Sequence, residues 1–203
     1  IPEATPSPTP SNRVNFALST NGATANASSQ MGSASAAIDG SQVWASGGSW
    51  KDDSPNVYPD WLQVNFNGNR TIDEISVYGV MDDYLSPTVP SASQTSTFYG
   101  LTAFEVQYWN GEGWTTVTNG SLSANDKVVN RFTFAPVSTT SIRVVVNGAQ
   151  DGYSRIVELE AWGVDPASGF YKDKSEKQGA SRDLRRLRAA LHGSRPADKS
   201  FWM

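Results

Sequence analysis

The sequence predicts an all-β protein, an antiparallel β-sandwich of jelly-roll type, and three observations carry that prediction. Apolar and polar residues alternate in short runs between Asn12 and Val164, the period of strands with one face on a core. No part of that region keeps a helical period over several turns. Gly, Asn, Ser and Pro cluster between the runs, as they do between the short strands of sandwiches and jelly rolls.

The elements follow in chain order. Residues 1–11 hold prolines at 2, 6, 8 and 10; proline fixes φ and removes a donor, so this stretch reads as an extended Pro/Thr-rich linker or a disordered terminus. The body spans 12–165. Its clearest strands place Leu62, Val64 and Phe66 against Gln63 and Asn65, and Ile75, Val77 and Gly79 against Ser76 and Tyr78. Phe104, Val106 and Tyr108 alternate with Glu105 and Gln107, and Ile142, Val144 and Val146 flank Arg143. Asn110-Gly111-Glu112-Gly113 lies between Tyr108-Trp109 and Trp114-Thr115, a hairpin signal. Two long segments without strand pattern, 45–60 and 84–100, interrupt the series, and loops of this length usually bind something or cover a barrel end.

Residues 166–203 differ in kind. Ser181 can cap a short helix over 182–192, with Leu184, Leu187 and Leu191 on one side and Arg185, Arg186 and Arg188 between them. Residues 1–170 carry seven Lys/Arg against sixteen Asp/Glu, while residues 171–203 carry nine against four. An acidic body with a basic tail is not expected to bind nucleic acid through its folded part. Docking of the tail on the body, binding of an anionic partner and an unfolded extension stay open.

Composition removes whole classes of chemistry. There is no Cys, which excludes disulfides, thiol nucleophiles and cysteine-ligated metals. The one His, His192, lies in the tail, so the body has no imidazole for a Ser-His-Asp relay or a His-ligated metal. No apolar run is long enough to span a membrane, and the N-terminus lacks the regions of a signal peptide.

Five segments then meet a known pattern. Asn15-Phe16-Ala17-Leu18, Ser35-Ala36-Ala37-Ile38-Asp39-Gly40, Asp60-Trp61-Leu62-Gln63-Val64-Asn65-Phe66, Ile72-Asp73-Glu74-Ile75 and Ser154-Arg155-Ile156-Val157-Glu158-Leu159-Glu160-Ala161-Trp162-Gly163 resemble, in order and spacing, the discoidin or coagulation-factor type C (F5/8 type C) family. The likeness covers roughly 12–164. It implies a galactose-binding-like jelly roll and looks most like bacterial carbohydrate-binding modules of secreted or surface proteins. It also implies a structural calcium, held by the carboxylates of Asp39 and Glu158 and by carbonyls of Ala37, Ser41 and Val157. Oxygen donors of this mixture suit a hard cation. The family loop continues Asn-x-x-Thr, whereas here it reads Ser41-Gln42-Val43-Trp44; the hydroxyl ligand is missing at its usual place, and Ser46 is a candidate substitute. Otherwise Asp39 caps its own turn.

In sugar-binding relatives the ligand lies on loops at one end of the sandwich. A sugar offers apolar C–H faces and a polar rim, so the site needs an exposed ring beside directed polar groups. Trp50, Tyr58, Tyr84, Phe98 and Tyr99 lie in or beside the long segments, near Lys51, Asp52, Asp53, Asn56, Asp82 and Asp83. This set is expected to suit a neutral sugar better than an anionic one. Arg155 either reaches the same end or pairs with a surface carboxylate. Trp61, Trp109, Trp114 and Trp162 read as core or sheet-face residues, and Trp44 as structural. The pairs Asp52/Asp53 and Asp82/Asp83 invite a glycosidase reading, since that reaction needs two carboxyls across a substrate; adjacent loop aspartates usually point apart, and no hydrolase motif accompanies them.

The expectation is therefore a non-catalytic, monomeric carbohydrate-binding module of a larger extracellular or cell-surface protein, without a membrane span. A cell-surface or protein–protein adhesion module and a ligand-free spacer are the alternatives.

Overall fold

The computed structural model describes residues 12–44, 48–85 and 88–165. The expected linker over 1–11, Ser46 and the tail over 166–203 lie outside the described residues. The described chain forms nine strands: β1 Arg13–Asn15, β2 Thr24–Ala27, β3 Trp50–Lys51, β4 Asp60–Tyr78, β5 Leu101–Trp109, β6 Trp114–Leu122, β7 Val129–Ala149, β8 Arg155–Ile156 and β9 Glu158–Val164. Two short 3-10 turns, Ser19–Asn21 and Ala34–Ile38, are the helical elements among these residues.

All pairings are antiparallel. Hydrogen-bonded neighbours run β1-β9-β4-β7-β5-β6, with β2 on β4 and a separate β3-β8 pair. The expectation of short strands throughout is corrected at β4 and β7, which extend over 19 and 21 residues. Their register breaks between Asn65 and Arg70, where Gly68 has φ +83°, the left-handed region that favours glycine. The chain bends there without reversing. The first half of β4 pairs with β2 and the second with β9, so one strand serves both layers of the sandwich.

Period two places Leu62, Val64, Ile75, Val77, Phe104, Val106, Ile142, Val144 and Val146 in the space between the layers, each almost fully buried. Full burial of such a side chain contributes about 1.5–3 kcal/mol. A second, smaller cluster of Tyr78, Val80 and Val157 forms at the end of β4, with Trp44, Tyr99 and Val129 packed on it. Close layer packing also fixes one glycine: a Cβ on Gly163 would collide with the Thr71 carbonyl. The smaller cluster is the floor on which the site is built.

Candidate functional site

Trp44, Lys51, Val80, Tyr84, Tyr99 and Arg155 surround a cavity of about 280 Å³. They come from five places in the chain. Lys51 and Arg155 are register partners across β3 and β8, Val80 and Tyr84 follow β4, Tyr99 precedes β5, and Trp44 follows the Asp39-Gly40 turn. The rings are fitted edge to face: Trp44 and Tyr84 have centroids 5.0 Å apart at 65°, and Tyr84 and Tyr99 5.8 Å apart at 74°, the arrangement aromatic quadrupoles favour. Phe98 extends the row at 6.3 Å from Tyr99. Tyr84 and Phe98 are 41% and 62% exposed, and Tyr99 and Trp44 are half-buried.

Two cations stand on the wall. Arg155 is 8% exposed and donates Nη1 and Nη2 to the two carboxylate oxygens of Asp151 at 2.6 and 2.7 Å, the fork geometry of a strong ion pair. Its guanidinium also lies 5.3 Å from the Tyr99 ring centre and 5.2 Å from that of Tyr153. Burial works against the Asp151 carboxylate, but the Arg155 hydrogen bonds and charge outweigh it and hold the carboxyl below its ordinary pKa. Lys51 Nζ sits 3.8 Å from the Tyr153 ring centre and donates to Met31 Sδ at 3.5 Å.

The loop over 88–98 is tied down by one carboxylate. Asp82 accepts Ser96 Oγ at 2.7 Å, Thr97 N and Oγ1 each at 2.8 Å, and Phe98 N at 3.0 Å. Burial opposes its charge, yet these donors prevail and lower its pKa. Gln150 completes the clamp: its Oε1 accepts Gly100 N at 2.7 Å and its Nε2 donates to the Ser96 carbonyl at 2.6 Å. Together they hold Phe98 and Tyr99 in place.

Several expected ligand residues are instead internal. Trp50 is fully buried in the main core and donates Nε1 to the Ser29 carbonyl at 2.9 Å. Asp52, also fully buried, accepts Ser154 N at 2.6 Å and Ser54 N at 2.9 Å. The pairing of β3 with β8 draws both residues inward, so neither faces a ligand. Tyr58 is half-buried; its hydroxyl donates to the Gly152 carbonyl at 3.1 Å and accepts Ala149 N at 3.0 Å, which commits it to the loop beyond β7. Asp82 is taken up by the Ser96–Phe98 turn. Asp53 and Asp83 are exposed and do not line the cavity. The expected acidic rim is therefore replaced at the wall by Lys51 and Arg155. Trp44, Val80 and Gln150 were missed because each joins the site only through the fold.

At the expected metal site, Glu158 is fully buried and accepts Gly40 N at 3.2 and 3.3 Å through its two oxygens. Burial, reinforced by the nearby Asp39 charge and opposed by the Gly40 N–H, pushes its carboxyl up to about 9. Asp39 Oδ1 also accepts Ser41 N at 2.7 Å, closing its own turn. Ala37 and Val157 are buried and Ser41 is exposed. Among the described residues, no three His, Asp or Glu side chains converge as a metal cluster, so any cage here would depend on backbone carbonyls.

The F5/8 type C domain model matches residues 22–159. Three solved structures are similar over almost their whole length. The family 32 CBM from C. perfringens NanJ, in complex with galactose, is 23% identical, with a TM-score of 0.54 and coverage of 74% of this chain and 99% of that one. Chitosan-binding module 1, derived from a chitosanase/glucanase of Paenibacillus sp. IK-5, is 26% identical, with a TM-score of 0.55 and coverage of 74% and 99%. A Streptococcus pneumoniae fucose binding module, SpX-3, is 13% identical, with a TM-score of 0.57 and coverage of 75% and 99%. No curated protein matches the chain. With its β-sandwich, its order of strands and a match across most of its length, the chain belongs to the F5/8 type C (discoidin) domain family.

Proposed function

We propose that this domain is a non-catalytic carbohydrate-binding module that takes a neutral sugar into the cavity between Tyr84, Tyr99 and Trp44. The observation that carries the reading is the convergence of three rings with Lys51 and Arg155 around about 280 Å³. The rings supply apolar contact for C–H faces, and the two cations supply directed donors for hydroxyl oxygens. Arg155 is held in one orientation by Asp151, so little freedom is lost when it donates to a ligand. Asp151 balances the charge of Arg155. The galactose, chitosan and fucose named for the similar structures support the ligand class. In this reading the domain is a module of a larger secreted or surface-attached bacterial protein. Affinity is expected at roughly 10 μM to 1 mM, as for a small ligand on an open site.

The test is isothermal titration with galactose, fucose and chitotriose on the wild type, Tyr84→Ala and Tyr99→Ala. Binding of one sugar, weakened at least tenfold in both variants with the fold intact, supports the reading. No binding to a broad glycan array by a folded protein overturns it.

The same reading includes a structural calcium. The fit rests on Glu158, a buried carboxylate with Asp39 beside it and the Gly40 N–H donating to both of its oxygens. Asp39 and Glu158 with carbonyls of Ala37, Ser41 and Val157 would hold it. Bound there, the ion supplies positive charge that offsets two carboxylates and links the turn to β9. The sign of the pH dependence follows from Glu158. A carboxyl raised from 4.5 to about 9 adds stability below pH about 4.5 that is lost as the pH rises toward about 9. In chelator, thermal unfolding is therefore expected at lower temperature at pH 8.5 than at pH 5, with calcium restoring most of the difference. A melting temperature indifferent to calcium at both pH values removes the ion from the proposal.

One observation favours a second reading, a surface-adhesion module: Leu85, Val89 and Phe98, all on one segment, are 83%, 63% and 62% exposed. Sedimentation with neutral liposomes that is lost in Leu85→Ser would support it.

A further inference from the structure

The outer face of one layer carries a second built surface, distant from the Tyr84 cavity. Asn26, Gln63, Arg143, Gln107 and Thr116 are successive register partners across β2, β4, β7, β5 and β6. On each strand a sequence neighbour packs in or against the core, Ala25, Leu62, Val144, Val106 and Val117 in that order, so this row points outward. Its members are bonded to one another and to the adjoining rows. Gln63 Nε2 and Ser141 Oγ donate to Asn65 Oδ1 at 2.7 and 3.0 Å, and Asn65 Nδ2 donates to Asn26 Oδ1 at 3.2 Å. On the other side Arg143 Nε donates to Gln107 Oε1 at 2.7 Å, and Gln107 Nε2 to Glu105 Oε2 at 2.9 Å.

Two aromatic groups bound this strip. Trp61, paired with Val145, lies on one side; Trp114 lies on the other, with the Arg143 guanidinium 4.4 Å from its ring centre and Trp109 at 5.6 Å in edge contact. All three tryptophans are half-buried on a face that needs no apolar residue for the core. Trp109 is also one wall of a cavity of about 450 Å³ whose other side chains are Asn69, Asn110, Ser138, Thr139 and Thr140, none of them charged. β5 runs from beside Tyr99 to Trp109, roughly 27 Å at about 3.4 Å per residue, so this surface and the loop cavity lie toward opposite ends of the strand.

We propose that this amide strip and the Trp109 cavity form a second carbohydrate-binding surface, one that takes a stretch of an extended neutral oligosaccharide. Charge selects the occupant. The body is strongly acidic, with sixteen Asp/Glu against seven Lys/Arg in residues 1–170, yet the strip holds Arg143 and Glu105, both bonded to Gln107. That balance suits a neutral chain of hydroxyls and disfavours phosphate backbones and anionic surfaces. Each of the four amides keeps at least one of its roughly four hydrogen-bonding positions for a guest, and mutual bonding fixes their orientation before a ligand arrives. The proposal borrows the ligand class of the loop reading and none of its residues.

The experiment is nuclear magnetic resonance titration of the full chain with cellohexaose and chitohexaose, and with glucose and N-acetylglucosamine as controls, following side-chain amide and indole signals. The expected result is that a hexasaccharide shifts the signals of Asn26, Gln63, Gln107 and Trp114, that these shifts persist in Tyr84→Ala, and that Gln107→Ala weakens hexasaccharide binding at least tenfold with an unchanged melting temperature. Shifts confined to Trp44, Lys51, Tyr84 and Tyr99 would overturn the second surface and leave the loop site standing. No shift with any sugar would overturn both. A dimer in solution that dissociates in Trp61→Ala would overturn it by assigning the face to a second copy of the chain.

Discussion

The two long segments on either side of β4 have similar composition and opposite fates. Residues 48–60 present Trp50, Asp52 and Tyr58, and residues 80–100 present Tyr84, Phe98 and Tyr99. In the first, two residues of backbone pairing between β3 and β8 pull the tryptophan into the core and the aspartate onto the Ser154 and Ser54 amides. In the second the polar anchor is Asp82, which binds the loop to itself through Ser96, Thr97 and Phe98 and leaves its rings outside. The same residue types serve stability in one loop and, in the proposed reading, recognition in the other. What decides is where the backbone N–H groups find partners.

Substitutions can break that contrast, beginning with the largest effect. Trp50→Ala removes a fully buried ring and is expected to destabilise the fold by about 3–5 kcal/mol in urea unfolding. Sugar affinity per folded molecule is expected to stay unchanged, and a sugar-specific loss at unchanged stability would return Trp50 to the site. Asp52→Ala leaves the Ser154 and Ser54 amides without their acceptor, at a cost of about 1–3 kcal/mol. Tyr84→Ala should change stability by no more than about 0.5 kcal/mol while sugar binding falls, the reverse of the Trp50 pattern.

The smallest effect is a pH dependence. Asp82 has a depressed pKa, so its contribution is complete above the ordinary carboxylate range, about pH 4, and is lost as the pH falls through its folded value. Sugar binding at the Tyr99 loop is expected to be flat from pH 8 to pH 5 and to weaken below about pH 4. In Asp82→Asn the acid-dependent step should disappear. A step that survives in that variant assigns the effect to another carboxyl.

The alternation of Leu62, Val64 and Phe66 and of Ile142, Val144 and Val146 was readable because core strands write their burial into every second residue. The continuity of β4 and β7 was not, because Asn67-Gly68-Asn69 has the composition of a reversing turn, and only pairing with β9 shows that the chain bends and goes on. Tyr84 and Tyr99 were legible as loop aromatics. Trp50 was misread because its neighbours Gly48 and Ser49 are those of an exposed loop, whereas its burial comes from Ile156, far away in the chain. Lys51 was legible only as a neighbour of the loop aromatics and Trp44 only as a structural residue, since their place at the cavity exists only once β3 meets β8 and the Asp39-Gly40 turn meets β9.

Arg13 stands opposite Val164 in the β1-β9 ladder, so the polypeptide comes in and goes out side by side. β9 travels about 20 Å from Glu158, next to the ring cluster, before reaching that doorway, at about 3.4 Å per residue. The two edges of the described body thus meet at one place, a strand's length from the rings.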